Sequence, residues 1–244
     1  MKGRLVPRAE LTPAQRDAMV ALLEEQFEGV RRDVFLADLA GKNWVLLLED
    51  PVGGALLGFT TLHHHRARHR GREIQVLFSG DTVVRHEAAG SSTLSRTWIG
   101  AVNRLRGDDP APLYWLLIVS GFRTYRFLPL HWRDYHPRCD GVPAPALAGL
   151  AADLASARFG PHYDPATGIV RLPAPQVLRG GARVIPANRL ADPDVAFFVR
   201  ANPGHEQGDE LVCLTEVAWE NLTPLGRRMW RGGEQLFPAG GPQP

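Results

Sequence analysis

The apolar positions of this chain change period several times, and each change marks an element. "LTPAQRDAMVALLEEQF" repeats apolar residues at helical spacing. It opens with a start signal: Thr12 as N-cap, Pro13 at the first helical position and Gln15 to complete a capping box. "GRLVPRA" before it suits a short strand. "DVFLADLA" predicts a second helix, capped by Asp33 and ended by Gly41. Three strand-like runs follow, "NWVLLLED", "GALLGFTTLHHH" and "REIQVLFSGDTVV". "PVGG" turns the chain after the first and the basic "RARHRG" after the second, which makes the three an antiparallel meander.

Residues 90–105 then place Leu94, Trp98, Ala101, Val102 and Leu105 on one face of an amphipathic helix. "APLYWLLIV" is almost continuously apolar and of strand length, the pattern of a strand buried on both faces. "FRTYRFLPLHWRDYHPR" has helical spacing, but Pro129 must break or kink it and leaves the carbonyl of Tyr125 without its usual donor. From Cys139 to Arg189 the texture changes to an Ala-rich helix, "APALAGLAADLASARF", followed by Pro and Gly breaks. Strand character returns in "DVAFFVRANP" and "ELVCLTEVAW", and a last helix starts near Thr223 and Pro224. The expected division is a core over 1–138, an inserted subdomain over 139–190, a strand pair and helix over 191–236 that complete the core, and a flexible tail over 237–244.

Composition narrows this picture only a little. At 244 residues and 44% hydrophobic content, the chain can bury one large core or a core with an added lobe. Its 28 basic and 26 acidic side chains leave a net charge of +2, which gives no ground for expecting nucleic acid or a membrane as partner. The first residues lack the apolar stretch of a signal peptide, and no apolar run approaches the roughly 18 residues of a membrane span; a cytoplasmic location is the expectation. Cys139 and Cys213 are far apart and lack metal-ligand spacing.

The order strand, helix, helix, three antiparallel strands, helix, buried strand, helix and late strand pair resembles the GCN5-related N-acetyltransferase (GNAT) fold. The resemblance covers Arg4 to His136 and resumes near Asp194. It implies an α/β fold whose mixed, mostly antiparallel twisted sheet is flanked by helices. In that family the strand before the central helix ends in a turn of pattern Gln/Arg-x-x-Gly-x-Gly/Ala, whose backbone N–H groups hold the pyrophosphate of acyl-coenzyme A. Here the junction reads "RHEAAGSS", with Ala88 and Ala89 where glycine or a basic residue is usual, and with Arg85 further from Gly90 than the pattern asks.

Elementary physics supports an anion there, because a helix N-terminus presents unpaired N–H groups and glycine lets backbone approach a phosphate. The same small residues would also serve as an ordinary helix cap. The implied donor site is Thr82, Val83, Val84 and Arg85 at the strand end, Ala89, Gly90, Ser91, Ser92 and Thr93 at the turn, and Ser120 and Arg123 before and in the later helix.

The implied activity is N-acyl transfer from acyl-coenzyme A, or from an acyl carrier protein, to an amine of a small molecule, peptide or protein, with no metal. Such transfer needs a base for the ammonium proton and an acid for the leaving thiolate. Asp81 in "SGDTVV" is the candidate base, or else caps a turn or pairs with an arginine. Tyr125 stands where the family often has its acid, or else packs between Phe122 and Phe127.

Strand alternation puts His63 and His65 on one face and His64 on the other, so that the pair can act on substrate or bind its carboxylate. No third ligand is spaced to join them on a metal. Arg66, Arg68, Arg70 and Arg72 form a basic cluster suited to an acidic carrier protein, and Arg123 and Arg126 to nucleotide phosphates. The alternative is a module that binds acyl-coenzyme A and has lost the chemistry.

Overall fold

A computed structural model describes residues 1–85, 92–142, 144–180 and 184–237. In chain order its main elements are β1 (Lys2–Pro7), α1 (Pro13–Gln26), β2 (Phe27–Glu28), α2 (Arg32–Ala40), β3 (Trp44–Glu49), β4 (Leu56–His69), β5 (Arg72–Val84) and α3 (Ser92–Arg106). They continue with β6 (Leu113–Val119), α4 (Phe122–His131), β7 (Tyr135–His136), α5 (Pro145–Phe159), β8 (Tyr163–Asp164) and β9 (Ile169–Val170). The last are β10 (Val177–Leu178), α6 (Pro193–Ala201), β11 (Glu210–Glu216) and α7 (Pro224–Glu234). Among the described residues no helix is long and apolar enough to cross a membrane.

The chain divides into two compact units. The first comprises Met1–Gln26, Val30–Leu113 and the segment from Pro224 onward; the second comprises Phe27–Gly29 and Tyr114–Thr223.

In the first unit β1, β3, β4 and β5 pair in that order, every neighbour antiparallel. The helices take opposite faces. Phe35 of α2 meets Phe59 of β4 edge-on at 6.0 Å, and Phe59 pairs with Leu47. Gly3, paired with the next residue Leu48, instead faces Thr97 of α3, and alternate residues of a strand point to opposite faces. Layered this way, Leu46, Leu47, Leu48, Phe59 and Leu62 are almost wholly buried. Trp98, Ala101, Val102 and Leu105 make the buried stripe of α3, as their spacing predicts.

α1 starts on the expected capping box. The Thr12 N–H donates to Gln15 Oε1 at 3.0 Å, and the Gln15 N–H donates to Thr12 Oγ1 at 3.2 Å. The start of α2 differs from expectation: Arg31 is the N-cap, and Asp33 sits in the first turn, paired with Arg31 at 2.6 Å. There a carboxylate still favours the positive end of the helix.

The basic "RARHRG" also differs, because most of it is strand. β4 runs on to His69, which pairs with Arg72, and the reversal is confined to Arg70 and Gly71 at φ 48° and 79°. Two residues at positive φ form the tight turn whose twist matches a hairpin. Cross-strand charge holds the extension, with Arg66 bonded to Glu73 and to Asp109.

In the second unit β6 pairs with β11, whose other edge is shared by β9 near Leu211 and by β7 near Leu214 and Thr215. β8 continues from β9, while β10 pairs with β2. "DVAFFVRANP", expected as a strand, is helix α6. The apolar run fits either period; Asp192 and Pro193 decide it, the Asp192 carboxylate accepting from the Asp194 N–H at 3.0 Å and Pro193 standing at the first position. α4 keeps Pro129 inside it and stops at His131, earlier than the spacing suggests. Residues 238–244, most of the expected tail, lie outside the described residues.

Candidate active site

In the first unit the chemistry gathers at the C-terminal half of β5. Thr60 pairs with Thr82 and Leu62 with Ser79, so Gly80 and Asp81 together stand opposite the single residue Thr61. This is a β-bulge, which re-aims side chains and interrupts the ladder. Past it the strand is tied down again. The Thr60 and Thr82 hydroxyls bond at 2.7 Å, and the Arg85 N–H donates to the Leu57 carbonyl at 2.8 Å. Val83 is buried and Val84 half-buried. The Arg85 guanidinium pairs with Glu25 at 3.1 Å and reaches the Leu56 carbonyl.

Of the expected turn residues, Ala89, Gly90 and Ser91 lie outside the described residues. Ser92 opens α3 and Thr93 is half-buried in its first turn.

The bulge has a neighbour that residue patterning did not single out. Lys42 has no exposed side-chain surface; its ammonium pairs with Asp38 and lies 5.4 Å from the centre of the Phe78 ring. A Cβ on Gly80 would come within 2.6 Å of Thr61 Oγ1 and 3.1 Å of Lys42 Nζ. Glycine at 80 is therefore what lets a buried ammonium and a buried hydroxyl close on the bulged backbone. One signal was present in the sequence: of the 28 basic residues only Lys2 and Lys42 are lysines. A chain that otherwise uses arginine keeps lysine where a compact ammonium fits and a planar guanidinium does not.

His63 and His65 share a face of β4, as alternation predicts, with rings stacked 4.4 Å apart. His64 points the other way, bonds Gln75 Oε1 at 2.9 Å, and is pushed below the ordinary histidine pKa by burial. Among the described residues no group of three His, Cys, Asp or Glu side chains could hold a metal.

In the second unit Tyr125 is fully buried, and its hydroxyl donates to the Pro137 carbonyl at 2.9 Å. Its ring packs against Tyr135, Phe197 and Phe198, not between Phe122 and Phe127. Burial raises its pKa far above that of an ordinary phenol. Ser120 is half-buried, while Arg123 is exposed and lies over the Phe122 ring. Arg126 is paired with Asp192 at 2.9 Å. Burial also holds both thiols protonated, Cys139 pushed up to about 11 and Cys213 well above its ordinary value.

No protein-family model matches the chain, and no curated protein matches it. Solved structures do. A conserved protein and probable N-acyltransferase from Enterococcus faecalis V583 matches at 12% identity and TM-score 0.39, over 55% of this chain and 33% of its own. The GNAT family N-acetyltransferase YhbS from Escherichia coli, in complex with CoA, matches at 14% and 0.38, over 52% of this chain and 68% of its own. Arabidopsis thaliana NAA60, in complex with a bisubstrate analogue, matches at 14% and 0.39, over 55% of this chain and 86% of its own. The chain spans about a third of the Enterococcus protein, at 33%.

Proposed function

We propose that this protein moves an acyl group from acyl-coenzyme A, or from an acyl carrier protein, to an amine of a small molecule, peptide or protein. One observation carries the reading: β5 bulges at Gly80 and Asp81, ends at Val84, and is the strand that precedes α3 in the chain. A bulge interrupts the regular ladder of a strand and re-aims its backbone. The pantetheine arm of the donor is an extended chain with two amides, and it would add to such an interrupted strand as a peptide adds to a sheet edge. Its pyrophosphate would then meet the positive end of a fifteen-residue helix.

In the reaction the amine nitrogen attacks the thioester carbonyl, the C–N bond forms and the C–S bond breaks. Asp81 takes the ammonium proton, directly or through a water, and the departing thiolate takes a proton from solvent. His63 and His65 offer imidazoles to an acceptor carboxylate. An acid role for Tyr125 would require its hydroxyl to exchange the Pro137 carbonyl for sulfur. That commitment of the phenol favours the second reading, a module that binds acyl-coenzyme A without turnover.

One experiment separates the readings. Acetyl-, octanoyl- and palmitoyl-coenzyme A are tested for thermal stabilisation, followed by thiol release with a panel of amines. Transferase predicts both signals, and a binding module predicts stabilisation alone. Gly80→Val, which drives a side chain onto Thr61 and Lys42, weakens donor binding before anything else. Absence of any stabilisation by the three donors would remove both readings.

A further inference from the structure

The second unit holds a cavity of about 380 Å³ that the transfer reading does not use. Its walls come from five elements, Ala148 and Ala152 of α5, Phe197 of α6, Leu211 of β11, His136 of β7 and Tyr163 of β8, together with the loop from Pro165 to Gly168. The hollow exists because α5 is made of alanine here. Ala148 and Ala152 are one turn apart on the same face, and leucine at either place would fill the space. Thr167, also in the wall, spends its hydroxyl on the Asp164 carboxylate at 2.8 Å. Apart from Thr167, the lining side chains that carry a polar group are His136 and Tyr163.

None of the lining residues is Lys, Arg, Asp or Glu. A charged ligand would give up part of its hydration there and meet no counter-charge among the lining side chains. Burial lowers the pKa of His136 and raises that of Tyr163, so both groups are uncharged at neutral pH. A volume of this size is at the low end of small-molecule sites.

We propose that the cavity between α5, α6 and β11 binds an uncharged, largely apolar small molecule with a single amide or hydroxyl head, held by His136 and Tyr163. The occupant is defined by charge: a neutral head on an aliphatic body. This site stands independently of acyl transfer.

The test uses the whole chain and four probes with the same aliphatic body: octanamide, octan-1-ol, octanoate and octylammonium. Binding is followed by methyl NMR of the alanines and by the imidazole nitrogen resonances of His136. The two neutral probes should shift Ala148, Ala152 and His136, and the two ions should bind at least about tenfold more weakly. Ala152→Leu should abolish the shifts caused by octanamide while leaving coenzyme A titrations as in the parent chain. Should Ala152→Leu fail to fold, Ala148→Leu fills the same hollow one turn away, and His136→Gln removes the imidazole. Equal binding of ions and neutral probes, octanamide binding undiminished in a folded Leu variant, or no binding of either neutral probe would each overturn the proposal.

Discussion

Lys42 shows how a single residue can be read from the asymmetry of its costs. A fully buried ammonium gives up hydration that its partner repays only in part, so an apolar side chain of similar shape is often as stable. Lys42→Met should therefore move the urea midpoint little, whereas Asp38→Ala, which removes a charged acceptor from a buried ammonium, should cost about 1–3 kcal/mol. If the lysine is held for what its charge does beside Gly80, Lys42→Met should also slow thiol release at an unchanged midpoint; an unchanged rate would leave Lys42 as packing only. Tyr125 argues the other way. Tyr125→Phe removes the donor to the Pro137 carbonyl and should cost about 1 kcal/mol in urea unfolding. Turnover in that variant, once stability is allowed for, decides whether the phenol has any part in proton transfer.

At the scale of elements, α3 and α7 approach by backbone. A Cβ on Gly100 would lie 2.7 Å from the Gly233 Cα, and a Cβ on Gly233 would lie 2.6 Å from the Gly100 Cα. Nothing at that crossing is a flexible side-chain end that could give way. Gly100→Ala or Gly233→Ala should thus destabilise by about 1–3 kcal/mol despite the better helix propensity of alanine, read as a drop in melting temperature.

The elements also show what a linear pattern can carry. The α1 cap, the three-strand meander and the buried stripe of α3 were legible because local period and capping chemistry decide them. α6 was not, since Val195 to Val199 is apolar throughout and only Asp192 and Pro193 mark the helix. The long β4–β5 hairpin was obscured by arginines whose partners, Glu73 and Asp109, are found by folding. The site divides in the same way. Alternation placed His63 and His65 together, but the meeting of Lys42, Thr61 and Gly80 depends on a register shift that no periodicity announces.

For the molecule as a whole, one buried histidine and three half-buried ones are the groups expected to set the response to acid. His64, His131, His136 and His205 all have pKa values lowered by burial, and His131 also bonds the Phe127 carbonyl through Nδ1 at 2.9 Å. The sign follows from proton counts. In the unfolded chain these groups titrate near about 6.5, so as pH falls through that value the unfolded state binds protons that the folded state refuses. Their stability is present above the ordinary histidine pKa and is lost progressively below it, at up to about 1.4 kcal/mol per pH unit for each proton. The lowered carboxylates Asp33, Asp140 and Asp164 act in a separate window, because their ordinary pKa is near about 4. They are exposed and contribute little even there. The urea midpoint should therefore fall between about pH 7 and pH 5, above the range in which most carboxylates are protonated. His131→Asn keeps a donor near Phe127 but cannot titrate, and it should make that fall shallower by one proton's share. A midpoint flat down to about pH 5, or an equally steep fall in His131→Asn, would show that these histidines are not the groups that couple folding to acid.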